Sequence, residues 1–105
     1  MYEIGDILID TVKEKEVVVT TVTSTRSDEY VVSESPNGRE QTVHDYNKRY
    51  GFDGDVPVVG AVYAESLPAD PHEVTKKGAY LLADNSDETE YNFPISRLIL
   101  EEFRD

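Results

Sequence analysis

The chain has 105 residues, the size of one domain with a single core, and 38% of them are hydrophobic. It carries 22 Asp and Glu against 10 Lys and Arg, a formal net charge of -12. No cysteine is present, which excludes disulfides, thiol catalysis and thiolate metal sites together.

The acids run along the whole chain, from Glu3 and Asp6 through Asp53 and Asp55 to Glu101 and Glu102, with no acidic block or tail. Charge spread in this way is a property of the whole surface. Few lysines, abundant carboxylates and a modest core suit a protein kept soluble in concentrated salt. At about 1 M the Debye length is roughly 3 Å, so the self-repulsion of such a surface is largely screened. Nucleic acid is not expected as a partner, because Lys48-Arg49 and Lys76-Lys77 are isolated pairs in an anionic background. No apolar run approaches the roughly 18 residues that span a bilayer. The first residues lack the basic region and apolar core of a signal peptide, so the expected location is the cytoplasm.

In chain order, Ile4-Gly5-Asp6-Ile7-Leu8-Ile9 reads as a first strand after a Gly-Asp turn. Residues 17–23 are dense in Val and Thr, whose β-branched side chains favour a strand. A polar turn is expected over 24–28, and a third strand over 30–34. Ser35-Pro36-Asn37-Gly38 reads as a hairpin turn, since Asn and Gly accept positive φ, and residues 41–44 should return antiparallel. The stretch 45–55 is expected to be a structured loop with one helical turn ending at Gly51. Val56-Pro57-Val58-Val59-Gly60-Ala61-Val62-Tyr63-Ala64 is apolar on both faces at a period of two. It should be the interior strand of the sheet, with Pro57 at its entrance and Gly60 leaving room for another element.

Asp70-Pro71-His72-Glu73 has the form of a helix start, with Asp70 as N-cap and Lys76-Lys77-Gly78 as its end. Residues 79–82 fit either a short strand paired with 90–93 or the continuation of a helix to Asp84. The strand is favoured, because Gly78 inside a helix costs about 1 kcal/mol. Pro94 should end a strand, Ser96 and Arg97 form a turn, and Leu98-Ile99-Leu100 close the chain. Tyr30-Val31-Val32 and Tyr80-Leu81-Leu82 also suggest a faint internal repeat.

Two resemblances follow from these stretches. Ile4-Gly5-Asp6-Ile7, then residues 17–22, then Tyr30-Val31-Val32 resemble the opening half of SH3-like barrels. Residues 42–47 with Tyr50, then 55–63, then Tyr91-Asn92-Phe93-Pro94-Ile95-Ser96-Arg97-Leu98 resemble a family of small acidic proteins from salt-loving archaea. That resemblance implies salt adaptation and a cytoplasmic location, and names no ligand.

Most chemistries find no motif. His44-Asp45 is the best general acid/base pair, but neighbours on a strand point to opposite faces, so Asp45 would not orient His44. No nucleophile elbow, phosphate-cradling glycine loop or calcium loop is present. His72 reads as solvated, and neither a metal site nor a cofactor is expected. Arg97 is expected to anchor its turn to a carboxylate. Tyr46, Tyr50 and Phe52 stand in a loop, where aromatic side chains often mark a contact surface. With Asp53 and Asp55 beside them they are expected to receive a protein carrying a basic or cationic segment. The expectation is thus one domain over 1–105, mostly β with a short helix, built as a small antiparallel curled sheet or SH3-like barrel. Its expected role is that of a non-enzymatic interaction module of a halophilic cell. The alternative is a small hydrolase or metal-dependent enzyme using His44 and nearby carboxylates, and a third possibility is a homodimer through the edge of residues 4–9.

Overall fold

The computed structural model describes residues 2–103. β1 (Ile7–Asp10) and β2 (Lys15–Arg26) form the first antiparallel pair, with Ile7 opposite Val18 and Leu8 opposite Val17. Gly5, in the turn before β1, is left-handed (φ 91), and a Cβ there would lie 2.2 Å from the Lys76 carbonyl oxygen. Only glycine lets the start of the second helix seat on that turn. β2 runs on to Arg26 through the expected turn, because its pairing with the interior strand extends to Arg26 opposite Pro57. The ladder is bulged between Val19 and Thr21.

β3 (Val31–Glu34) and β4 (Glu40–Thr42) make a separate two-stranded ribbon around the expected turn, with Gly38 left-handed (φ 81). The expected return strand over 41–44 stops at Thr42, which caps α1 (Val43–Asn47). The Thr42 hydroxyl accepts from the Asp45 amide at 3.2 Å, and the Asp45 carboxylate accepts from the Thr42 amide at 2.9 Å. This reciprocal cap satisfies two backbone donors at once and turns Val43 and His44 helical. A 3₁₀ turn over Lys48–Tyr50 ends, as expected, at a left-handed Gly51 (φ 85).

β5 (Pro57–Tyr63) pairs with β2 on one side and with β6 (Tyr91–Pro94) on the other. Val58, Val59 and Ala61 are fully buried, as the two apolar faces require. Between β5 and β6 stands α2 (Lys76–Asp84), where a strand over 79–82 is the sequence expectation. Asp70 does accept from the His72 amide, but it starts only a 3₁₀ turn (Pro71–Glu73), and Val74 is extended. The effective cap is Thr75, whose hydroxyl accepts from the Gly78 amide at 3.1 Å. Lys76 and Lys77 therefore open the helix that they were expected to close. Gly78 lies inside it, where a Cβ would come within 2.9 Å of the Val74 Cβ. The inner face of α2 is made by Ala79 and Ala83, one turn apart, and their burial together with the cap outweighs the glycine cost. The suggested repeat has no structural counterpart, since residues 31–34 are strand and 80–82 are helix.

After the 3₁₀ turn Ile95–Arg97, β7 (Leu98–Ile99) pairs outside β1 at Ile9 and Asp10. The main sheet thus has the order β6-β5-β2-β1-β7, antiparallel throughout its recorded pairs. β6 and β7 lie at opposite edges, so the sheet stays open and does not close into a barrel. β7 covers β1 at Ile9 and Asp10, so of the edge over residues 4–9 suggested for a dimer only Ile9 is paired on that side. One face packs Val18 and Val62 against Ala79 and Ala83 of α2. The other packs Leu8, Val17, Val19, Val59, Phe93 and Leu98, bordered by Tyr2, Ile95 and Leu100. Among the described residues no helix is long and apolar enough to cross a membrane.

Candidate functional site

A buried charge pair holds α1 to the sheet. Asp10, at the end of β1, is fully buried, and Arg97 is only 8% exposed. Arg97 Nε donates to Asp10 Oδ1 at 2.7 Å and its second guanidinium nitrogen to Oδ2 at 2.9 Å, a fork-to-fork bond. The remaining guanidinium nitrogen donates to Asn47 Oδ1 at 2.9 Å, and Asn47 in turn donates to the Val43 carbonyl at 2.7 Å. Tyr63 completes the set by donating its hydroxyl to Asp10 Oδ2 at 2.6 Å. Arg97 thus anchors its turn to a carboxylate, as the sequence leads one to expect.

Two ionisations shift accordingly. Burial raises the Asp10 pKa, but bonds from Arg97 and Tyr63, the Arg97 charge and the Val12 amide outweigh it and hold the carboxyl below its ordinary value. Burial first, and then the bond to Asp10, push the Tyr63 phenol well above the usual tyrosine range. With every Asp10 oxygen bonded and Tyr63 locked as a donor, this network works as a scaffold and has no free acid or base to offer a substrate.

Above the network lies a cleft of about 400 Å³ between the β3–β4 ribbon, α1 and the outer strand β6. Asn47, Tyr63, Phe93 and Arg97 line its inner part, while Val32, Tyr46, Tyr50 and Tyr91 contribute to its walls, with Lys13 and Arg49 also lining it. Tyr46 is tied to the ribbon by its hydroxyl, 2.9 Å from that of Ser33. The Tyr63 ring meets Tyr91 edge-on at 5.5 Å and Phe93 at 6.1 Å. The Arg97 guanidinium lies 5.5 Å from the Tyr50 ring centre and 5.1 Å from that of Phe93. Glu90 lines the cleft as well, but its carboxylate accepts from the hydroxyls of Thr20 and Thr21.

Of the expected contact residues, Tyr46 and Tyr50 line this cleft. Phe52, Asp53 and Asp55 do not: Phe52 is partly buried, Asp53 is exposed, and Asp55 borders a separate surface with Val22, Arg26 and Pro57. Lys13, Tyr63, Tyr91 and Arg97 also line the cleft, though none of them is among the expected contact residues.

His44 lies outside the cleft. Asp45, its supposed partner, is engaged with the Thr42 cap and stands 3.6 Å from Lys48. No side-chain hydrogen bond joins His44 to a carboxylate among the described residues. Its Nδ1 is buried without a hydrogen-bond partner among the described residues, and its ring packs so close to Gly54 that a Cβ there would lie 3.0 Å from Cγ. A wider cleft of about 850 Å³ is bordered by Glu16, Glu65, Asp70 and His72, where His72 meets the Glu16 carboxylate. Among the described residues no group of three or more His, Asp or Glu is placed to hold a metal ion.

The fold and this cleft together define a small open-sheet β domain with an aromatic groove at one sheet edge. No family model, curated protein or solved structure matches the chain.

Proposed function

We propose that the domain is a non-enzymatic protein-interaction module of a salt-rich cytoplasm, with the tyrosine cleft as its contact surface. The observation that carries this reading is the exposure of Tyr46 (50%), Tyr50 (40%) and Tyr91 (48%) around one groove whose base is locked by a buried ion pair. Rigid aromatic side chains bury much area on contact and lose little entropy, which is why they dominate binding surfaces. The even spread of acids supports work in brine, where screening removes their mutual repulsion. The hydrolase alternative gains nothing from the surroundings of His44, which seat the 52–55 segment on α1.

Capture of partners from a lysate in about 1 M potassium chloride, conditions of strong screening, tests the surface. Tyr46→Ala and Tyr91→Ala should each lose the captured proteins while melting like the parent. Leu81→Ala, on the outer side of α2, should keep them. Capture that survives both tyrosine substitutions rules this surface out.

A further inference from the structure

We infer, on the reading that the cleft is the contact surface, that its partner is a protein segment presenting acidic side chains beside a flat one. The chain has more than twice as many acids as bases, so a basic side chain here readily finds a carboxylate. Lys15, Arg26, Lys48, Lys76 and Arg97 each have one within ion-pair distance. Lys13, Arg39, Arg49 and Lys77 have none among the described residues, and of these Lys13 and Arg49 lie on this cleft. Each of the two rests over a tyrosine instead: Lys13 Nζ is 5.6 Å from the Tyr63 ring centre and Arg49 Cζ is 4.7 Å from that of Tyr50. Two guanidinium groups, those of Arg49 and Arg97, therefore already sit over Tyr50. A cationic side chain entering there would meet like charge on a ring whose attraction for cations is in use.

Glu90, the carboxylate among the lining residues, is turned to Thr20 and Thr21, and the Arg97 charge is balanced by Asp10. The cleft is thus a cationic island on an anionic protein. An arriving carboxylate finds the planar donor fork of Arg49 and the ammonium of Lys13, while an aromatic side chain finds Tyr46 and Tyr91. Asp53 and Asp55, the acids that suggest a basic partner, lie off this surface.

Three blocked pentapeptides of the pattern X-X-Tyr-X-X, with X as Glu, Gln or Lys, separate the possibilities. Each is titrated into the isotopically labelled full chain in about 1 M potassium chloride, where long-range repulsion is screened, and followed by amide shifts. The Glu peptide should move the signals of Lys13, Arg49, Tyr50 and Tyr91 and bind at least about tenfold tighter than the Gln peptide. The double variant Lys13→Gln/Arg49→Gln, folded by its unchanged melt, should erase that preference. Tighter binding of the Lys peptide at the same signals, or equal binding of all three, overturns the acidic partner and leaves the cleft as the contact surface. No movement of cleft signals with any peptide, together with capture that survives Tyr46→Ala, overturns both.

Discussion

Two arginines line the cleft at different depths and have opposite surroundings. Arg97 is nearly buried, gives its fork to Asp10 and its last nitrogen to Asn47, and so joins β1, α1 and the turn before β7. Arg49 is exposed, stacks on Tyr50 and bonds its hydroxyl, with no carboxylate to satisfy it among the described residues. A guanidinium taken out of water must be paired, because its desolvation costs several kcal/mol. One left in water can wait for a partner at almost no cost. Depth, more than residue type, separates the residue that builds the groove from the residue left exposed at its rim.

Substitution at the inner pair should have the largest effect. Asp10→Ala strands the Arg97 charge with only Asn47 and should cost about 3–5 kcal/mol in urea unfolding. A loss below about 1 kcal/mol would mean that water reaches the guanidinium and that the two depths are alike.

A smaller effect should appear as acid is added. The folded Asp10 pKa is lowered, so the unfolded chain, with a carboxylate value of about 3.9, takes up the proton first. The stabilisation from Asp10 is complete above about pH 4 and is lost as pH falls through the folded value. Asp10→Asn should therefore show a shallower decline in stability below about pH 4 than the parent. Parallel declines would show that other carboxylates carry the acid sensitivity.

The smallest change in stability is expected at the rim. Arg49→Gln should stay within about 0.5 kcal/mol of the parent, as surface substitutions usually do. A large loss would show that the rim arginine is part of the scaffold, and the contrast between the two positions would fall.

Much of the framework was legible because it rests on near neighbours. The Asn37-Gly38 turn, the end of the 3₁₀ turn at Gly51 and the doubly apolar strand around Val58 and Val62 are all written in short windows. Tyr46 and Tyr50 were legible as exposed aromatic residues, which here line the cleft, because they fall in a polar stretch where a core has no use for them. Lys13 and Tyr91 gave no such signal, since an exposed lysine in a turn and a tyrosine on an edge strand are ordinary. Asp10 was concealed in another way: an acid closing an apolar strand is usually solvated, and here it is fully buried.

By itself the sequence determined an antiparallel, mostly β domain, its hairpin and its doubly covered interior strand, since alternation and turn chemistry act over two to four residues. Tertiary structure alone decided that 79–84 is helical, because a sheet face of Val18 and Val62 accepts a closely approaching pair of alanines at Ala79 and Ala83. It alone also joined Asp10 to Arg97 across 87 positions of chain. No local pattern encodes such a pair; its partners meet only when the strands that carry them are laid side by side.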